Sequence, residues 1–170
     1  MVRPALLGCL VLLGCGGDNA LGGSLGEVIS LEVSRSDVYR NDEALQVTYY
    51  RNRGVFYDVV VRVSVALKDV ELKPGVRIPL EGEYEPGHQR TSVATAPGGE
   101  PVRVLPNVKK GDMVITSGGV AGGVTRGNFS MLFEGEGGDL GFNRTLSGNF
   151  AAMTVDAGFE PNVEPEPTEP

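Results

Sequence analysis

Between Val55 and Leu67 the chain sets Val55, Tyr57, Val59, Val61, Val63, Val65 and Leu67 at every second position, with Phe56, Asp58, Val60, Arg62, Ser64 and Ala66 between them. A period of two belongs to a β-strand, whose successive side chains point to opposite faces; in a helix the same residues would be scattered around the cylinder. The chain is therefore committed to a sheet with one buried face at this point. Thirteen residues exceed the usual strand length of about 3 to 10, so a bend or bulge is expected, and the strand is long enough to serve two sheets.

A shorter alternation precedes it, with Leu45, Val47 and Tyr49 on one face. Asn52-Arg53-Gly54 fits a three-residue hairpin loop with Gly54 in the left-handed conformation. Pairing Arg51 with Val55 then sets Tyr49 opposite Tyr57, Val47 opposite Val59 and Leu45 opposite Val61, whereas a slip of one places Val47 against Asp58. The other face of this expected hairpin pairs Thr48 with Asp58 and Tyr50 with Phe56. Cross-strand packing is the plainer role for that aromatic pair; a ligand platform at Tyr50 and Phe56 is the sharper one.

Further alternating runs predict strands at Ile29–Leu31–Val33, at Val70–Leu72 and Val76–Ile78–Leu80 joined through a type II turn at Pro74-Gly75, around Thr91 to Ala94, at Val102 to Leu105 and at Asp112 to Thr116. Short strands at such spacing predict an all-β fold, a single antiparallel β-sandwich of immunoglobulin-like or jelly-roll-like kind, with a barrel as the alternative. One repeat stands out: Gly127-Asn128-Phe129 and Gly148-Asn149-Phe150, 21 residues apart. Glycine is expected to let the chain turn or bulge into each strand while the two phenylalanines plug the core. This Gly-x-Phe pairing resembles the terminal hairpin of small all-β lipoproteins of environmental Gram-negative bacteria.

Composition divides the chain. Residues 15–27 are glycine-rich and read as a flexible tether. Residues 156–170 carry five acids, four prolines and no base, and read as a disordered acidic tail. Residues 28–155, the expected domain, hold 15 acidic and 14 basic side chains, so the acidity belongs to the ends and no basic stripe remains for nucleic acid.

The first residues carry an address. Arg3 provides a positive start and Ala5 to Leu13 an apolar run shorter than the about 20 residues of a spanning helix, which together read as a signal peptide of residues 1–14. Leu12-Leu13-Gly14-Cys15 resembles the lipobox of bacterial lipoproteins. That resemblance implies cleavage before Cys15, a diacylglyceryl group on its thiol and usually acylation of the new amino terminus, palmitate being the common acyl chain. Leu6-Leu7-Gly8-Cys9 repeats the pattern but leaves too short an apolar run before it, so Cys15 is the better site. Two or three acyl chains hold a protein firmly on a membrane. Gly16 rather than Asp after the cysteine implies, for a Gram-negative host, the outer membrane facing the periplasm or the surface. Cys9 and Cys15 are the only cysteines, so the mature domain is expected to fold without a disulfide, for which its length suffices.

Few groups carry chemistry. His88, the single histidine, lies in a Pro-Gly turn and reads as solvated; without Gly-x-Ser-x-Gly no hydrolase elbow accompanies it. Glu81, Glu83 and Glu85 alternate on one face of a strand, the pattern of a solvated edge that discourages unwanted pairing, or less simply of a catalytic or metal-binding carboxylate set. Glu134, Glu136 and Asp139 in a glycine-rich loop offer oxygens to Ca²⁺, outside any EF-hand spacing. Ser117 to Gly123 lacks the ending of a phosphate loop and reads as a mobile β loop. Asn128 and Asn143 formally fit glycosylation acceptors, which a bacterial address discounts. The expectation is thus a lipid-anchored envelope protein acting as a non-enzymatic binding or structural module, without a cofactor, that contacts envelope proteins or glycans. The alternative is a periplasmic enzyme or calcium binder using those loop carboxylates.

Overall fold

The computed structural model describes residues 18–135 and 140–161. Its strands are β1 (Ala20–Gly22), β2 (Arg35–Arg40), β3 (Ala44–Arg53), β4 (Phe56–Ala66), β5 (Arg77–Pro79), β6 (Glu83–Glu85), β7 (His88–Gln89), β8 (Thr91–Ala96), β9 (Arg103–Val104), β10 (Val108–Ser117), β11 (Val124–Phe133) and β12 (Thr145–Asp156). Two single turns of 3₁₀-helix, Ser24–Glu27 and Pro97–Gly99, are the remaining regular elements described. The fold is all-β, as expected. Ten strands form one curled sheet, ordered β5-β10-β11-β12-β2-β3-β4-β8-β9 with β1 beside β12, and β6 and β7 make a separate small hairpin. The curl makes a half-barrel whose two halves face each other across the core.

The strand that carries both halves is β12, not β4. One edge of β12 pairs with β11 along Thr145–Met153; the other pairs with β1 at Ser147–Asn149 and then with β2 at Thr154–Asp156. The β12–β2 pairing is parallel, a departure from the purely antiparallel expectation. Across the interior, Tyr49 of β3 meets Phe129 of β11 edge to face, 6.1 Å between ring centres, and its hydroxyl donates to the Asn149 carbonyl oxygen at 3.0 Å. Burial pushes that hydroxyl's pKa well up, keeping it a donor.

The hairpin of β3 and β4 keeps its expected inward face from Val61 to Val65 but not its expected register, and Phe56 to Val59 change faces near the turn. Arg53 pairs with Phe56, so the turn is the two-residue Gly54-Val55, with φ of +81° at Gly54. Beyond it Tyr50 pairs with Val59 but Tyr49 with Val61, leaving Val60 as an extra residue on β4. This bulge restores the parity that the turn had broken, and the inward set becomes Tyr49–Val61, Val47–Val63 and Leu45–Val65, all fully buried. The neighbouring β8 shows the same irregularity between Val59 and Arg62. The long strand does bulge, as its length demanded.

Two other expectations fail for want of a partner. Ile29, Leu31 and Val33 pack on the core but form no strand; the first strand of that half is β2, where Val38 is buried. Likewise Val70 and Leu72 join no ladder: the turn at Pro74-Gly75 is present, but β5 pairs with β10.

The repeat proves to be a reciprocal lock. Gly127 pairs with Phe150, Asn128 with Asn149 and Phe129 with Gly148, so each phenylalanine lies against the glycine of the other copy. A Cβ on Gly127 would stand 2.5 Å from Phe150 Cζ, and one on Gly148 2.7 Å from Phe129 Cζ. Both glycines serve close approach rather than a turn.

Both ends of the domain extend beyond the expected bounds of 28 and 155. β1 lies on β12, and Leu25, inside the segment expected as tether, is fully buried in the main core. At the other end Ala157 and Phe159 are buried with Ala44 and Tyr39, Ala157 N–H donating to the Arg40 carbonyl and Asn41 to that of Phe159. Residues 156–161, expected as disordered tail, are thus part of the fold; residues 162–170 lie outside the described residues.

Candidate functional site

The strand parity that buries Tyr49 turns Arg35, Asp37 and Tyr39 of β2, Gln46, Thr48 and Tyr50 of β3, and Arg62 and Ser64 of β4 to the outer face. At its Ala44 end this face is covered by Phe159 and its neighbours, and Gln46 Nε2 donates to Ser64 Oγ at 2.8 Å beneath. Toward the hairpin turn it is open. There Tyr50 and Tyr57 meet edge to face at 6.3 Å, and the Arg35 guanidinium lies 4.8 Å and 4.5 Å from their ring centres. Arg35 also pairs with Asp37 at 3.3 Å. Burial, then Tyr39 and Asp37, push the Tyr50 hydroxyl pKa well up. The result is an aromatic pair capped by a cation, a surface fit for stacking against a ligand ring or a peptide side chain.

On the opposite side of the same hairpin Asp58 is buried, and it organises the turn. Its Oδ2 accepts from Arg53 Nε at 2.7 Å and from Arg51 Nη2 at 3.0 Å; its Oδ1 accepts from Gly98 N–H at 2.8 Å. An open cavity of about 510 Å³ lies here, lined by Arg53, Phe56, Tyr57, Asp58 and Gly98. The Arg53 hydrogen bond leads the causes that hold the Asp58 carboxyl below its ordinary value, 3.8, with Gly98 and Arg51 adding to it against the opposing effect of burial. A depressed carboxyl contributes stability above its unfolded pKa and loses it as pH falls through the folded one. Acid melting below pH 3.8 should therefore include a component that Asp58→Asn removes, read as a flatter dependence of Tm on pH; an unchanged profile would exclude Asp58 as its source.

The expected pairing of Tyr50 with Phe56 is not formed. Tyr50 pairs with Val59, and its ring partner is Tyr57, while Phe56 lies on the cavity side and is 74% exposed. The two-residue turn and the Val60 bulge moved Phe56 to the other face, and neither is visible in hydropathy. Arg35, Arg51, Arg53 and Tyr57 were missed because Arg35 lay outside every expected strand, Arg53 in the expected loop, and none of the four shows its partner until the register is known.

The remaining candidates are not brought together. Glu81 accepts from Gly111 N–H, Glu83 from Gly87 N–H, and Glu85 pairs with Lys68 at 3.3 Å, so the three carboxylates serve separate partners. His88 is exposed, its ring 5.8 Å from that of Tyr84. Glu134 is exposed, while Glu136 and Asp139 lie outside the described residues, as does Cys15. Among the described residues no group of three or more His, Cys, Asp or Glu side chains is placed to hold a metal, and no helix is long and apolar enough to cross a membrane. The loop from Ser117 to Gly123, expected to be mobile, is tied down: Gly119 N–H donates to Thr125 Oγ1, Gly122 N–H to the Thr154 carbonyl, and Arg40 to the Gly119 carbonyl. Comparison with protein-family models, with curated proteins and with solved structures finds no match to this chain.

Proposed function

We propose that the chain is a lipid-anchored envelope protein: residues 1–14 are a signal peptide, Cys15 carries the lipid, and the β domain is a non-enzymatic binding module. The observation that carries the binding part is the open surface where Arg35 caps Tyr50 and Tyr57. The separate engagement of Glu81, Glu83 and Glu85 favours binding over carboxylate catalysis. In this reading the tether is far shorter than its glycine content implied. Asn19 Oδ1 already accepts from Ser36 Oγ at 2.6 Å and from Ala151 N–H at 3.0 Å, so only Gly16, Gly17 and Asp18 separate the lipidated residue from the fold. The domain is held against its membrane rather than lifted off it.

Replacing Cys15 by alanine should abolish incorporation of labelled palmitate and move the protein out of the membrane fraction of a Gram-negative host. Continued labelling, or retention of a processed chain in the membrane fraction, overturns the anchor.

A further inference from the structure

We propose that the turn of the β3–β4 hairpin is a membrane-contacting tip, inserting Val55, Phe56 and Tyr57 into the interface of the same bilayer that holds the lipid; this rests on the anchored reading above and names the partner of its hairpin. Three consecutive apolar side chains stand out at the turn, 88%, 74% and 50% exposed. A soluble hairpin gains nothing by showing them to water, where a two-residue turn ordinarily carries polar residues. Two of the three are aromatic, and tyrosine in particular prefers the boundary between headgroups and acyl chains.

The charge around the tip has the sign that anionic lipid attracts. Asp58, the carboxylate in the turn's cavity, is buried and taken up by both Arg51 and Arg53, which leaves the pair of arginines in excess. Arg53 and Arg35 remain about half exposed beside the apolar residues. The same ion pairs hold the turn in one shape, so insertion costs little ordering of the backbone.

Reach is sufficient. Asn19 is hydrogen-bonded to Ser36, which pairs with Tyr49, and the Ser34 hydroxyl accepts from Asn52 N–H two residues from Gly54. From the level of Tyr49 to Gly54 is five strand residues, about 17 Å. Four residues of chain from Asn19 back to Cys15 extend up to about 14 Å. The Cys15 side chain and its thioether-linked glyceryl group add about 5 Å to that reach, so a lipid on Cys15 and the tip can rest on one surface, with Arg35 and Tyr50 just above it.

The chain has no tryptophan, so Phe56→Trp supplies a single reporter at the tip. Every described element lies beyond Gly17, so a chain of residues 16–170 keeps the whole described fold while lacking both signal and lipid. With vesicles of phosphatidylethanolamine and phosphatidylglycerol, its emission should shift to the blue. A Val55→Ser, Phe56→Ser, Tyr57→Ser variant should lose vesicle binding by about tenfold or more while keeping its Tm. An unshifted emission, or vesicle binding unchanged in the triple variant, overturns the tip. A blue shift that depends on protein concentration without vesicles overturns it too, assigning the tip to a second copy of this chain. Because this chain lacks the lipid, failure here leaves the Cys15 test to stand or fall by itself.

Discussion

Gly148→Ala should lower stability by about 3 kcal/mol, a fall of roughly 10 °C in Tm, and Phe129→Leu in the same chain should recover part of that loss. Gly127→Ala should cost at least as much, and Phe150→Leu should not recover it. The difference lies in what each new methyl group meets. At Gly148 the nearest atoms are side-chain atoms, Phe129 Cζ at 2.7 Å, which leucine at 129 vacates, and Leu21 Cδ2 at 2.8 Å, the far end of a flexible side chain. At Gly127 the methyl group also meets the Val114 carbonyl oxygen at 2.6 Å, an atom of the β10 backbone that gives way only if the ladder opens. Urea or thermal unfolding of the four single variants and the two pairs measures the couplings. Equal recovery in both pairs would show that the rings alone set the close approach.

Leu25→Ala should destabilise the domain by about 3 kcal/mol, and a chain beginning at Val28 should melt more than about 10 °C below one beginning at Gly16. Leu25 is fully buried in the main core although it sits in the glycine-rich run Gly22-Gly23-Ser24-Leu25-Gly26. Removing residues before Val28 also strips β1 from β12 and removes the Glu27 carboxylate that accepts from Arg144 Nη1. A chain from Val28 as stable as the longer one would return this segment to the role of a tether.

The two ends show why composition misled at the boundaries. Averages over residues 16–27 and 156–170 are glycine-rich and acidic, respectively, and they hide the apolar side chains that reach a core, Leu21 and Leu25 in the first and Phe159 in the second. One or two such side chains, with a few backbone hydrogen bonds, fold each segment onto the sheet. The strand assigned to Ile29–Val33 failed for the converse reason. Its alternation is real, and all three apolar residues touch the core, but a strand exists only where another edge offers hydrogen bonds, and that edge goes to β2.

The candidate site was half legible. Tyr50 was visible as an aromatic on the outward face of β3, and the structure keeps it there. Phe56 was placed beside it by a three-residue loop; the two-residue turn shifts the pairing by three residues from Phe56 to Val59, which changes their faces, and the extra residue at Val60 makes the shift four, so Val61, Val63 and Val65 keep the inward face. An odd slip is penalised only where one face is buried, and at the turn Phe56 and Tyr57 are exposed.

The sequence by itself determined the all-β class and the inward face of β3 and of the Val61–Val65 part of β4, since both follow from a local period of two. Tertiary structure alone decided the partners. The extra residue at Val60, the parallel edge between β12 and β2, the Gly-Phe lock and the meeting of Arg35 with Tyr50 and Tyr57 all depend on which strands lie side by side and in what register. Backbone hydrogen bonds are the same for every pair of strands, so that choice is made by the packing of the whole core.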